Sequence, residues 1–295
     1  VFPKPEISFT SDNVCLYTPI TFINNSTINN TIVGMPSQNI NSVKWYIDDS
    51  LVNSTSFDLT YTFTSAGPKW IKLECWSNFN CYSVDSVLID VYDQPNAEFE
   101  TFYHCEEDLT FFDATLSSGS IIYSSVIDTY DWDVDGNIGV DFSNTSGQLN
   151  YTLPIAGNNN VILYITDQFS CTDTIDTLIY IIPEVTTYFT FDDSICSGID
   201  VSFTNLSSSD ADSFLWDFGF SGTNGTSSLV SPLINFPDGG EYYLTLTSYD
   251  NINSSTTGDI CTSIFQDTIF ILDKPSAEFA YDIVCANEST PIYNE

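Results

Sequence analysis

Eight cysteines and one run of aspartates are the residues of this 295-residue chain whose types and spacing could do chemistry. The chemistry would be oxidative cross-linking for the first and cation binding for the second. Cys15, Cys105, Cys196 and Cys285 recur at a step of about 90 residues, and Cys81, Cys171 and Cys261 keep the same beat. A cytosolic protein has no use for thiols spaced in this way, so the pattern predicts an oxidising compartment. Cys15 to Cys81 and Cys105 to Cys171 each span 66 residues, and Cys196 to Cys261 spans 65. That constancy predicts one disulfide per repeat, Cys15–Cys81, Cys105–Cys171 and Cys196–Cys261, each stabilising its domain by about 4 kcal/mol. Cys75 is left as a small buried hydrophobe, and the partner of Cys285 is expected beyond Glu295.

The aspartates are Asp131-Trp132-Asp133-Val134-Asp135-Gly136-Asn137, with Asp141 following. Acidic oxygens at alternate positions around a glycine turn are how calcium loops wrap a hard cation. Asp131, Asp133, Asp135, Asn137 and Asp141 are therefore candidate ligands for Ca²⁺, and no cofactor is required. The fit is partial, because Phe142 stands where such loops carry a bidentate Glu and the other repeats lack the triple Asp. The alternative is a turn with extra charge. No nucleophile elbow, phosphate loop or dinucleotide fingerprint occurs, and the single histidine, His104, is expected at the surface. Catalysis is not expected.

Five basic residues against 40 acidic ones leave a net charge of −35. Such a surface repels phosphate backbones and anionic headgroups, which argues against nucleic acid as a partner. No apolar run of membrane-spanning length is present, so membrane insertion is not expected. Acid at this density keeps an extracellular polymer soluble. Sequons such as Asn53-Ser54-Thr55 and Asn205-Leu206-Ser207 would matter only in a eukaryotic secretory pathway.

The elements that must position these groups come in tandem. Phe9, Phe99, Phe189 and Phe279 recur at a constant step of 90, each a few residues after a proline. A unit of that length buries a core of its own, whereas a shorter solenoid repeat borrows its neighbour's. The expected division is residues 1–5 as the end of a preceding repeat, 6–95, 96–184 and 185–275 as three full repeats, and 276–295 as the start of a fourth. Apolar residues alternate with period two in Ile71, Leu73 and Cys75, in Val161, Leu163 and Ile165, and in Tyr242, Leu244 and Leu246. That is the mark of a strand with one buried face. Short strands divided by Asn, Ser, Gly and Asp clusters predict all-β antiparallel sandwiches in an elongated array. Trp45, Trp132 and Trp216 mark the middle of each repeat, where they are expected to fill the core against the disulfide as in immunoglobulin domains.

These residues resemble the PKD family of immunoglobulin-like domains. Its W-D-F-G-D-G signature is matched by Trp216-Asp217-Phe218-Gly219 and by Trp132-Asp133-Val134-Asp135-Gly136, while repeat one keeps only Trp45-Tyr46-Ile47-Asp48. A second family stretch is matched by residues 240–250 and 157–167, and more loosely by 67–77. Cys171-Thr172-Asp173-Thr174 and the Pro-x-Ala-x-Phe junctions are most similar to PKD arrays in large surface proteins of the Bacteroidota, including gliding and attachment adhesins exported by the type IX system. The resemblance implies a secreted, cell-surface protein. Asp-Ser/Thr-aliphatic triplets at Asp85, Asp173, Asp176 and Asp267 resemble an O-glycosylation pattern of that phylum, although a strand start needs the same residue types.

If Ile71, Leu73 and Cys75 face the core, Trp70, Lys72, Glu74 and Trp76 point outward. Trp70 and Trp76 would then offer a ligand face for sugar rings or for another subunit, unless a loop covers them. Two functions follow. The first is a stalk or filament segment of a surface adhesin, which spaces a distal binding region from the cell in attachment or gliding. Its partners would be neighbouring repeats of the same chain, surface polysaccharide or other filament subunits. The second is an accessory carbohydrate- or protein-binding module of a secreted polysaccharide-degrading enzyme.

Overall fold

The computed structural model describes residues 2–29, 34, 36–192, 195–222, 225–250 and 260–294. It is all-β. Two compact units divide the chain, the first holding Val1–Thr101, Phe111–Tyr151 and Asn159–Ile179, the second Phe102–Thr110, Thr152–Asn158 and Tyr180–Glu295.

In repeat one the strands are β1 (Val14–Cys15), β2 (Pro19–Phe22), β3 (Ile40–Ile47), β4 (Ser50–Asn53), β5 (Leu59–Thr62), β6 (Gly67–Ser77) and β7 (Tyr82–Tyr92). One sheet has the order β1-β7-β6-β3-β4, with β1 parallel to β7 and the other pairs antiparallel. The facing layer pairs β2 with β5 and receives the first segment through bridges at Glu6–Thr27 and Phe9–Asn24. A short strand running parallel to the last one, over two closed layers, defines an immunoglobulin-like sandwich. Asp48 and Asp49 make the two-residue loop between β3 and β4. Both have positive φ, 46° and 62°, which matches the twist of a tight hairpin and suits short polar side chains.

Repeat two repeats the plan with β8 (Glu100–Phe102), β9 (Thr110–Asp113), β10 (Ile127–Asp133), β11 (Phe142–Asn144), β12 (Gln148–Tyr151), β13 (Gly157–Asp167) and β14 (Thr172–Ile181). Its sheets run β11-β10-β13-β14 and β12-β9-β8. Repeat three has β15 (Phe189–Phe191), β16 (Asp200–Asn205), β17 (Ser213–Asp217), β18 (Thr226–Ser227), β19 (Leu233–Asn235), β20 (Gly240–Asp250) and β21 (Cys261–Ile271), in sheets β18-β17-β20-β21 and β15-β16-β19. A final hairpin pairs β22 (Phe279–Tyr281) with β23 (Ile292–Asn294).

The alternation read from sequence is the alternation of burial. Ile71, Leu73 and Cys75 are fully buried, as are Val161, Leu163, Ile165, Leu244 and Leu246. Trp45, Trp132 and Trp216 are fully buried too, and the recurring phenylalanine meets each edge-on, Phe9 at 5.2 Å, Phe99 at 5.3 Å and Phe189 at 5.0 Å between ring centres. The 90-residue step of Phe thus preserves one aromatic contact per core. The ring contacts of these tryptophans are with phenylalanines, while the bridged cysteines sit beside the ends of the long strands. The expected packing of tryptophan on a disulfide is thus replaced by aromatic packing. His104 is buried rather than at the surface, and its carbonyl accepts the N–H of Ile182 at 2.7 Å.

Candidate functional site

The cysteines pair differently from the expectation of one bridge per repeat. Cys15 is bonded to Cys171 and Cys105 to Cys261, both at a sequence separation of 156, while Cys81 and Cys196 are free. Cys15–Cys81, Cys105–Cys171 and Cys196–Cys261 do not form. The reason is strand length. Cys15 pairs with Tyr92 at the end of β7, and Cys81 precedes Tyr82 at its start. Ten residues of rise put them about 33 Å apart, far beyond the reach of a disulfide. In repeat three Cys196 bridges to Leu272 past the end of β21, and Cys261 begins that strand. Constant spacing marked two opposite poles of each sandwich, and the bridges run from the exit pole of one repeat to the entry pole of the next.

Side chains around the first bridge complete that junction. Tyr92 stacks on Phe169 at 3.9 Å and meets Tyr123 edge-on, while the Tyr123 hydroxyl donates to Asp90 at 3.1 Å. Burial, helped by that bond to a carboxylate, pushes the Tyr123 pKa up to about 12. Asp93 accepts from the Ser120 hydroxyl and from the Ile121 N–H. Burial works to raise its carboxyl, but these hydrogen bonds outweigh it and hold the group below the usual range.

The acidic run in repeat two is gathered in part. Carboxylate oxygens of Asp133, Asp135 and Asp141 all lie within 4.8 Å of one another. Asp141 is fixed by the N–H groups of Val134 and Asp135, at 2.8 and 3.2 Å. Asn137 donates to Asp135 from its backbone and its side chain, at 2.8 and 2.7 Å, so it orients a carboxylate and stands outside the triad. Asp131 sits on β10 opposite Tyr164 and Ser143, also outside it. Asp133 is buried, and burial together with the nearby charge of Asp141 raises its pKa. A raised carboxyl among like charges is a group whose ionised form a cation would favour.

Repeat one carries the third candidate. Trp70 is 52% exposed and lines a cleft of 260 Å³ with Asp49, Lys72 and Ser86. Trp76 is not open in the same way. The Lys44 ammonium sits 5.0 Å above its ring and Tyr82 packs at 5.1 Å. Glu74 accepts the hydroxyls of Tyr46 and Tyr82 at 2.9 and 3.1 Å, and Lys72 lies over the Tyr46 ring while bonding Asp49 at 2.8 Å. Of the expected ligand face, Trp70 stands open and Trp76 is enclosed by side chains of its own sheet. Sequence reasoning had no signal for the lysines as partners, although three of the five basic residues, Lys44, Lys69 and Lys72, fall on β3 and β6.

No family model matches the chain, and no curated protein matches it. Among solved structures it is similar to fibronectin(III)-like modules of Clostridium thermocellum CbhA, with 14% identity over 60% of this chain and 95% of that one and a TM-score of 0.35. It is also similar to the PKD1 domain of Vibrio anguillarum Epp, with 25% identity over 31% and 96% and a TM-score of 0.24. A third is the set of immunoglobulin domains 1–5 of Sidekick-1, with 11% identity over 92% and 59% and a TM-score of 0.30. The immunoglobulin-like class rests on the strand order described above. Two disulfides fit a secreted or extracellular protein.

Proposed function

We propose that this chain is a structural segment of a bacterial surface adhesin, an array that spaces a distal binding region from the cell and withstands tension. The observation that supports it most is the pairing of Cys15 with Cys171 and Cys105 with Cys261, because bridges between successive repeats bypass the intervening polypeptide when the ends are pulled. The test is single-molecule stretching before and after reduction. Loss of the bridges should lengthen the fully extended chain about 2.5-fold.

A second reading, a binding module, is favoured by the open Trp70 beside Lys72. Aromatic faces stack on sugar rings, and a lysine hydrogen-bonds their hydroxyls. Titration with surface polysaccharide should shift the tryptophan emission, and Trp70→Ala should abolish the shift. An unaltered response in the variant sinks this reading.

We also infer that Asp133, Asp135 and Asp141 hold Ca²⁺. At a calcium concentration ten times the dissociation constant, repeat two should gain about 1.4 kcal/mol by linkage. Repeats one and three should gain little, and Asp133→Asn with Asp141→Asn should remove the gain. Equal, shallow stabilisation of all repeats, retained in that variant, would mean screening of the net charge instead.

A further inference from the structure

Two free thiols, Cys81 and Cys196, occupy positions that are cross-linked in other repeats. Cys196 is the counterpart of Cys15 and Cys105, which are in bridges, and of Cys285, which is free; Cys81 is the counterpart of Cys171 and Cys261, both in bridges. The frames match residue by residue. After Cys15, Cys105 and Cys196 the chain makes the same turn, closed by an N–H three residues on, from Thr18, Asp108 and Ile199 at 3.1, 3.2 and 3.2 Å. The residue two beyond each cysteine, Tyr17, Glu107 and Gly198, has φ of 62°, 66° and 76°. Each of these cysteines also sits beside the end of its last strand, against Tyr92, Ile182 and Leu272.

The other pole repeats as closely. The N–H groups of Ser77 and Asp167 donate to the carbonyls of Cys81 and Cys171 at 2.9 Å, and Asn80 and Ser170 take φ of 57° and 64°. Next to Cys171, Tyr92 from the preceding repeat stacks on Phe169. Next to Cys81, Phe2 stacks on Phe79 in the same manner, 4.2 Å apart and 9° from parallel. The seat that receives the end of a preceding repeat is therefore built beside Cys81. What differs is cover, since Cys171 and Cys261 are buried at 1% and 5% exposure while Cys81 is half-buried. Cys75, by contrast, is a core thiol with no cross-linked counterpart, near Ser26 at 3.8 Å.

We propose that Cys81 and Cys196 are open ends of a disulfide ladder, each receiving the complementary cysteine of another immunoglobulin-like repeat docked end to end. Each closure forms one S–S bond and breaks two S–H bonds. The two electrons and two protons pass to a disulfide oxidant, which leaves as two thiols. The incoming repeat belongs either to the same polypeptide or to a second copy of this chain, and the chemistry is the same.

The experiment uses the 295-residue chain with Cys285→Ser, incubated in a glutathione redox buffer and analysed by non-reducing electrophoresis and peptide mapping. If a second copy supplies the thiol, multimers form through Cys196–Cys81 bridges. Cys81→Ser and Cys196→Ser variants then stay monomeric alone, and their mixture yields a dimer and nothing larger. If a repeat of the same polypeptide supplies it, the isolated chain stays monomeric with both thiols open to iodoacetamide. In that case the protein purified from its source carries Cys196 and Cys81 each bonded to a cysteine of another repeat. The proposal is overturned if the source protein keeps both thiols free with the other two bridges intact, or if the dimers are joined Cys196 to Cys196.

Discussion

Stretched to full extension with both bridges intact, the chain should reach about 40 nm, and after reduction about 100 nm, at about 3.5 Å per residue. The shortest covalent path between the ends crosses from Cys15 to Cys171, runs back along the chain to Cys105 and crosses again to Cys261, leaving about 114 residues under tension. The same closures act on stability, since a loop of this length withholds about 5 kcal/mol of chain entropy from the unfolded state. Substitution separates the observed pairing from one bridge per repeat. Cys81→Ser should leave the oxidised length unchanged because Cys81 carries no bridge. Closure within repeat one would instead release the loop between Cys15 and Cys81, a gain of about 23 nm. Extension near 100 nm without reductant would remove the support for a tension-bearing array.

Trp216→Ala should destabilise repeat three by about 3–5 kcal/mol, the usual loss for a buried tryptophan whose site cannot collapse. The indole has no exposed surface and is packed against Phe189, Phe203 and Phe218 at 5.0, 5.6 and 5.8 Å. Its Nε1 donates to the Leu229 carbonyl at 2.9 Å, as that of Trp45 does to Phe57 at 3.0 Å. Among the described residues the buried Nε1 of Trp132 has no partner. Phenylalanine at Trp132 should thus cost less than at Trp216 or Trp45 by about 1–3 kcal/mol, because no carbonyl is stranded. Urea unfolding of the three variants is the measurement. Equal losses at all three sites would show that indole hydrogen bonding contributes nothing in these cores.

The cores were legible because their signals are local. Period-two alternation in Ile71-Lys72-Leu73-Glu74-Cys75 assigns each side chain to one face of a strand with no knowledge of its partner. The constant step from Phe to Phe carried the Phe–Trp contact with it. The calcium candidate was half legible. Glycine and alternate aspartates marked the turn, but which carboxylates converge depends on the path to Asp141, and that path leaves Asp131 on β10 and turns Asn137 onto Asp135. The ligand face suffered similarly, since outward direction follows from alternation while enclosure of Trp76 needs Lys44 from β3 and Tyr82 from β7.

By itself the sequence determined the all-β class, the 90-residue period, the core tryptophans and the positions of two cysteine series. Those properties depend on residue type and short-range periodicity, which act before any strand finds its neighbour. Only the tertiary structure decided which thiols meet. A spacing of 66 residues is compatible with closure inside a repeat, but β7 carries Cys15 and Cys81 to opposite ends of the sandwich, and stacking one repeat on the next brings Cys15 to Cys171 with 5.6 Å between α-carbons. Disulfide pairing is a matter of distance in space, and in a chain of nearly constant spacings that distance is set by strand length and domain order.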